Sequence, residues 1–276
     1  MHYLILLLFL ALPFTALAED RERTVCGFIK ERAYFTLWSS QAPGRDASKV
    51  TSHPLVEEAS FTTGDDRTLR GYRYLAHDDN QQEVEAQGYL LVAMGNAMVS
   101  DQLIPHLERY ARAGINAYVF DYRGYADSDG RRRIQAIVQD YAELISDLGQ
   151  RYEEGFLYGT SLGGLVMLNA ISEHGNFTRA VIDSSPSRLS DFGCPERLDP
   201  VNHINNENAA KLLIITGASD RVLNNDMTTP LRDKADEMGA RTYHGDDFDH
   251  PFMDTPAAHR QRQRLVFDFL TQDQSE

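Results

Sequence analysis

The chain has 276 residues and a formal net charge of −14, with 42% hydrophobic and 25% charged residues. A chain of this length and composition can bury one sizeable core, so we expect a single globular domain after any leader is removed. The excess of acidic residues excludes nucleic acids and anionic membrane surfaces as expected partners, because both are negatively charged and would repel the protein.

The first segment of the chain, residues 1–18, is an apolar run that ends in Ala16-Leu17-Ala18, directly before the charged residue Glu19. This pattern is typical of a secretory signal peptide with a small-residue cleavage site. A positively charged start is nearly missing, so an uncleaved membrane anchor is the alternative, although the run falls short of the ~18 to 20 residues that a spanning helix needs. We therefore expect a secreted or periplasmic protein that is free of the membrane after cleavage.

Residues 19–58 show no clear hydrophobic period, and we interpret them as an N-terminal extension that wraps on the domain formed by residues 59–276. The chain has two cysteines, Cys26 in this extension and Cys194 far along the domain. In an oxidising compartment a pair of cysteines often forms a bridge. A Cys26–Cys194 disulfide is one expectation, and two buried thiols are the other.

The domain is predicted to open with an antiparallel hairpin, in which residues 59–63 and 69–74 flank the turn Gly64-Asp65-Asp66. Further along, short apolar runs alternate with helical patterns, which predicts a parallel sheet buried on both faces. An apolar stripe from Ile134 to Leu148 with a period of 3.6 residues predicts a long helix on that sheet. The predicted parallel strands are 89–92, 117–120, 156–158, 180–182, 212–215 and 241–243.

The motif Gly159-Thr160-Ser161-Leu162-Gly163 lies between a predicted strand and a predicted apolar helix. A serine between two glycines at such a turn is typical of a nucleophile elbow, since glycine allows the sharp turn and the close contact of strand and helix. The pattern therefore predicts Ser161 as a nucleophile.

A serine hydroxyl needs a base and an orienting carboxylate to act at neutral pH. Asp220 follows a buried strand and is the predicted acid, with Asp183 after the preceding strand as the competing carboxylate. His250 lies in a loop after the last predicted strand and is the predicted base. His244 is the alternative, but we expect it within or beside that strand.

Two further loops complete a family resemblance. Asp121 to Ser128 reads Asp-Tyr-Arg-Gly-Tyr-Ala-Asp-Ser, which resembles the D-x-R-G-x-G-x-S loop of the α/β-hydrolase superfamily, whose order of serine, acid and base also matches. Met94-Gly95-Asn96 resembles the His-Gly-Asn of the BEM46-like branch. The chain departs from these patterns at Ala126, where glycine is usual, and at Met94, where histidine is usual.

The resemblance implies an α/β-hydrolase fold with a mostly parallel central sheet, flanking helices, an opening antiparallel meander and a short cap at about residues 186–210. It also implies an oxyanion hole made by the backbone N–H groups of Asn96 and Leu162. Because an oxyanion hole of this kind uses backbone groups, the replacement of the usual histidine by Met94 does not by itself abolish it.

The expected function is a secreted or periplasmic serine hydrolase that cleaves an ester, thioester or amide of a small-molecule acyl substrate through an acyl-enzyme. We expect no cofactor and no metal, because the histidines lack metal-ligand spacing. The alternative is a non-catalytic binding protein with the same fold, which only the altered Met94 loop supports. The short, polar cap segment predicts an open site that prefers short acyl groups, and the oligomeric state cannot be read from the sequence.

Overall fold

A computed structural model of the chain describes residues 21–27, 29–31, 33, 44–173 and 176–272. The predicted signal peptide, residues 1–18, lies outside the described residues, as do residues 19, 20, 28, 32 and 34–43 of the N-terminal extension.

One eight-stranded sheet forms the centre of the protein, in the order β1-β2-β4-β3-β5-β6-β7-β8. Strands β3 to β8 are parallel to one another, and β1 and β2 are antiparallel to their neighbours. The sheet therefore opens with the predicted meander and continues as the predicted parallel sheet. The strands are β1 (Val56–Thr62), β2 (Thr68–Tyr74), β3 (Gly88–Ala93), β4 (Ile115–Phe120), β5 (Glu154–Thr160), β6 (Arg179–Asp183), β7 (Leu212–Gly217) and β8 (Arg241–Gly245).

The central strands are buried along almost their whole length, since every residue of β3, β4 and β7 is buried. Continuous burial explains why these strands read as unbroken apolar runs rather than as alternating patterns. Strand β1 begins at Val56, slightly before the predicted start of the domain at residue 59.

Helices cover the sheet and form a hydrophobic core on each face of it. The predicted long helix is α3, and it buries the stripe from Ile134 to Leu148. None of the helices in the described part of the chain is long and apolar enough to cross a membrane. In the described residues from 44 onward, the α-helices are α1 (Ser100–Leu103), α2 (Glu108–Arg112), α3 (Ile134–Arg151), α4 (Leu162–Glu173), α5 (Asn225–Glu237) and α6 (Pro256–Thr271).

The connection between β6 and β7 contains only short 3₁₀ turns, at Ser190–Phe192, Glu196–Leu198, Pro200–His203 and Ala209–Lys211. It includes the predicted cap segment, residues 186–210. Because parallel strands place their carboxyl ends at one edge of the sheet, the loops after β3, β5, β6, β7 and β8 meet there.

Candidate active site

Ser161 lies at the sharp turn between β5 and α4, with a backbone φ of 54°. This left-handed conformation is rare for a residue with a side chain and is typical of strained functional positions. The N–H of Ser161 donates to the carbonyl of Asp183 at 2.8 Å, which ties the turn to the end of β6.

Glycines allow the close approach of α4 to the strands below it. A Cβ at Gly163 would collide with the backbone carbonyl of Ala93 and would lie 2.8 Å from that of Met94. A Cβ at Gly159 would lie 2.8 Å from the Cα of Gly164. Glycine is therefore required at both flanking positions of the motif by backbone contacts, as the pattern predicted.

His250 and Asp220 form a buried pair at the carboxyl edge of the sheet. The Nδ1–H of His250 donates to Oδ2 of Asp220 at 3.0 Å, and the two residues are 9% and 8% exposed. With Nδ1 engaged, Nε2 is the ring nitrogen left to accept a proton. The competing His244 lies in β8, where its Nδ1 contacts the hydroxyl of Thr216 at 2.8 Å.

The carboxylate of Asp220 is held in its charged form by its surroundings. Burial raises its pKa, but hydrogen bonds from His250 and from the N–H groups of Leu223 and Val222 outweigh burial, so the pKa lies below its ordinary value. An ionised Asp220 can fix the tautomer of His250 and stabilise its protonated form.

Asp183, the competing acid, has a different partner. Its carboxylate is fully buried and accepts from Nη1 of Arg262 at 2.5 Å and from the hydroxyl of Tyr158 at 3.1 Å. Arg262 also donates from Nε to Asp254 at 2.7 Å and from Nη2 to the carbonyl of Asp249 at 2.5 Å. Arg262 therefore connects the loop that carries His250 to the residue that holds the N–H of Ser161.

The loop after β3 lies beside Ser161. A Cβ at Gly95 would lie 3.8 Å from the Cβ of Ser161. The carboxamide oxygen of Asn96 accepts from the hydroxyl of Tyr125 at 2.5 Å and from the N–H of Ala97 at 3.1 Å, which fixes the loop. The side chain of Met94 is fully buried in the core.

Leu162 is the first residue of α4, so its N–H belongs to the helix end that has no acceptor within the helix. Asn96 and Leu162 both line the cavity that contains Ser161. The two predicted oxyanion positions therefore flank the same space as the predicted nucleophile.

A cavity of about 560 Å³ contains both Ser161 and His250 in its lining. Volumes of this size are typical of small-molecule sites. Most of its other lining side chains are apolar, and they come from the loop after β3, from α4, from the connection between β6 and β7, from the loops after β7 and β8, and from α5. Examples are Met98, Leu165, Leu189, Phe192, Leu223, Met227 and Met253.

The N-terminal extension also reaches this cavity. Cys26 and Cys194 form a disulfide, and both residues line the cavity together with Glu31 and Ile134. The prediction of an open site considered the cap segment alone. The structure corrects this basis, because the N-terminal extension supplies a further part of the cavity lining.

Sequence reasoning missed Glu31 and Arg262. Glu31 lies in a segment without a hydrophobic period, so no local sequence pattern indicates that it lies at the site. Arg262 had a signal, since it lies in the buried stripe of α6 with Ala258 and Val266. A charged residue in an apolar stripe indicates a buried partner.

A family model described as serine aminopeptidase, S33, matches residues 84–191, which include Ser161 but not Asp220 or His250. The chain is also similar to an esterase of Pyrococcus furiosus, at 18% identity over 83% of this chain and 94% of that one, with a TM-score of 0.61. The chain has the α/β-hydrolase fold. A search of curated proteins found no match.

Two more solved structures share the α/β-hydrolase fold. An esterase of the planctomycete Thermogutta terrifontis is 17% identical over 79% of this chain and 92% of that one, with a TM-score of 0.61. A puromycin hydrolase is 14% identical over 82% of this chain and 40% of that one, with a TM-score of 0.60. In the described part of this chain, no group of three or more His, Cys, Asp or Glu residues is placed to hold a metal ion.

Proposed function

We propose that this protein is a serine hydrolase that cleaves esters of small-molecule acyl substrates through an acyl-enzyme. The observation that carries the proposal is that Ser161 and His250 line one cavity. Asp220 is hydrogen-bonded to Nδ1 of His250, which leaves Nε2 to act on the serine. The similarity to the serine aminopeptidase model and to two esterases supports hydrolytic chemistry.

In the proposed mechanism, Nε2 of His250 accepts the proton of the Ser161 hydroxyl as its oxygen attacks the ester carbonyl. The backbone N–H groups of Asn96 and Leu162 stabilise the oxyanion, for which one donor is worth about 10²- to 10³-fold in kcat. Protonated His250 then gives its proton to the leaving alcohol, and a water molecule releases the acid by the same steps.

We propose further that the protein is secreted or periplasmic, on the basis of the apolar run at residues 1–18 and its small-residue end. The disulfide is compatible with that location. A place in the BEM46-like branch is proposed from Met94-Gly95-Asn96 and the loop at Asp121 to Ser128.

A fluorophosphonate probe tests the nucleophile. The esterase 2 of Thermogutta terrifontis has been described phosphoramylated by tabun, which supports the choice of an organophosphorus probe. We expect the probe to label the wild type and the exposed control variant Ser219→Ala but not Ser161→Ala. Absence of labelling in the wild type, with no turnover of any ester, would favour the non-catalytic binding protein instead.

A further inference from the structure

One wall of the cavity comes from chain segments that supply no proposed catalytic residue. Cys26 belongs to the N-terminal extension, Ile134 begins α3, and Leu189, Phe192 and Cys194 belong to the connection between β6 and β7. We name these five residues the disulfide wall, because the bond between Cys26 and Cys194 joins the first segment to the last.

A buried carboxylate holds the N-terminal part of the disulfide wall in place. Oε2 of Glu31 accepts from the N–H groups of Val25 and Cys26 at 2.7 and 3.1 Å, and Oε1 accepts from the N–H of Ile134 at 3.1 Å. Glu31 is 1% exposed, and its charge lies at the N-terminus of α3, where the helix dipole favours an anion. Both carboxylate oxygens are therefore engaged in fixing the wall.

A second carboxylate holds the other part. Oδ1 of Asp199 accepts from the N–H groups of Leu189 and Ser190, each at 2.7 Å, and Oδ2 accepts from the hydroxyl of Ser190 at 2.7 Å. Because these polar groups are satisfied within the protein, the wall offers apolar side chains and a disulfide to a ligand.

The disulfide wall is more buried than the part of the cavity lining beside His250. Cys26, Ile134 and Cys194 are buried and Leu189 and Phe192 are half-buried, whereas Val222 and Met253, which line the cavity on the loops around His250, are 49% and 54% exposed. A group that leaves after cleavage lies beside these exposed residues, whereas a group bound at the wall lies against buried and half-buried side chains.

The proposed mechanism indicates which side of the cavity holds the leaving group of an ester and which side holds its acyl chain. The leaving group must lie within reach of His250, which protonates it, so the acyl chain takes the other direction. Leu165 of α4 belongs to the same apolar cluster as Cys26 and Cys194, and Leu162 packs against that cluster. Resting on the proposed ester hydrolysis, we propose that the disulfide wall binds an apolar acyl chain of medium length.

The expected effect is a chain-length optimum in kcat/KM. Each buried methylene contributes about fourfold, equivalent to ~0.8 kcal/mol, as long as it finds apolar surface. A chain that extends beyond the wall finds no further apolar surface there, so the gain stops. We expect kcat/KM for nitrophenyl esters, measured below their micelle concentrations, to rise from acetate to hexanoate or octanoate and to fall by palmitate.

Variants of the disulfide wall test where the chain binds. Phe192→Ala should lower the ratio of kcat/KM for the hexanoate ester to kcat/KM for the acetate ester about tenfold. Val84→Ala, an exposed apolar residue outside the cavity, is the matched control and should keep the wild-type profile. Replacing both cysteines by serine should likewise flatten the profile while acetate turnover persists.

An unchanged profile in both wall variants, or a rise that continues to palmitate, would overturn the assignment of the wall. Such a result leaves ester hydrolysis intact as long as Ser161→Ala abolishes turnover of the acetate ester. Failure of the proposed function gives a different result, in which no ester is turned over in a Ser161-dependent way.

Discussion

At the scale of single residues, two histidines near the carboxyl end of the chain differ in what the backbone lets them reach. His244 is an exposed residue within β8, and its Nδ1 is taken by Thr216. His250 lies in the following loop, where Asp220 engages Nδ1 and the ring faces the cavity of Ser161. His244 therefore lies outside the site because it belongs to the strand, and His250 lies in the site because it belongs to the loop.

Substitution of each histidine separates their roles. His250→Ala should lower kcat by on the order of 10⁴-fold or more, because Ser161 would lose its proposed base. His244→Ala should keep activity within about twofold, since surface changes away from a site have small effects. Steady-state kinetics on one ester measures both, and the assignment of the base is wrong if the two variants exchange these outcomes.

A third residue, Asp121, is expected to make stability depend on pH. Burial raises the pKa of its carboxyl to about 6, against hydrogen bonds from the N–H and hydroxyl of Ser100 at 2.7 and 2.9 Å. The ordinary value is 3.8, so the folded state binds more protons than the unfolded state between these two pH values. The stability that Asp121 contributes is therefore complete below about pH 4 and is lost as the pH rises through about 6.

In Asp121→Asn this contribution is removed. The free energy of unfolding should fall less steeply from pH 4 to pH 6 than in the wild type, by on the order of 2 to 3 kcal/mol across that interval. Urea titrations at several pH values measure the slope. The exposed residue Asp79, changed to Asn, is the control and should keep the wild-type slope; equal slopes in all three proteins would contradict the role of Asp121.

At the scale of elements, α6 holds the His250 loop through one buried cation. Arg262 is 1% exposed and contacts the carboxylates of Asp183 and Asp254 and the carbonyl of Asp249. Removal of this guanidinium leaves two buried carboxylates without their cation, which costs about 3 to 5 kcal/mol in other proteins.

Arg262→Met is therefore expected to lower the free energy of unfolding by about that amount and to lower kcat, because the loop loses its anchor. Arg264→Met changes an exposed arginine on the same helix and should shift stability by less than about 0.5 kcal/mol. Chemical denaturation followed by circular dichroism compares the two. A similar small change in both variants would show that the His250 loop is held by its other contacts.

The elements differ in how far the sequence could predict them. The strands were predictable because burial on both faces leaves continuous apolar runs, as in β3 and β7. The elbow was predictable because Gly163 meets the carbonyl of Ala93, a contact that only glycine permits. The anchoring of the His250 loop by Arg262 was not predictable, since the three residues that Arg262 contacts are distant in sequence or lie in segments without a hydrophobic period.

At the scale of the whole molecule, the N-terminal extension joins parts that the sheet leaves separate. Arg21 contacts Glu143 on α3 at 2.5 Å, and Glu22 contacts Arg123 at 3.5 Å and Arg67 at 3.5 Å. These ion pairs bind the extension to the β1–β2 hairpin, to α3 and to the loop after β4. No hydrophobic period marks the extension, because many of its contacts are made by individual charges and by one disulfide.

The disulfide links two cysteines, Cys26 and Cys194, at a sequence separation of 168. In the chain-entropy model, closing a loop of that length restricts the unfolded chain and stabilises the folded state by about 5 kcal/mol. Replacement of both cysteines by serine should lower the free energy of unfolding by up to that amount, as measured by urea denaturation. A reductant present during unfolding should lower the midpoint of the wild type and leave the double variant unchanged. If the oxidised wild type and the double variant unfold at the same urea concentration, the extension is held by the hydrogen bonds of Glu31 and the ion pairs of Arg21 and Glu22 rather than by the covalent bond.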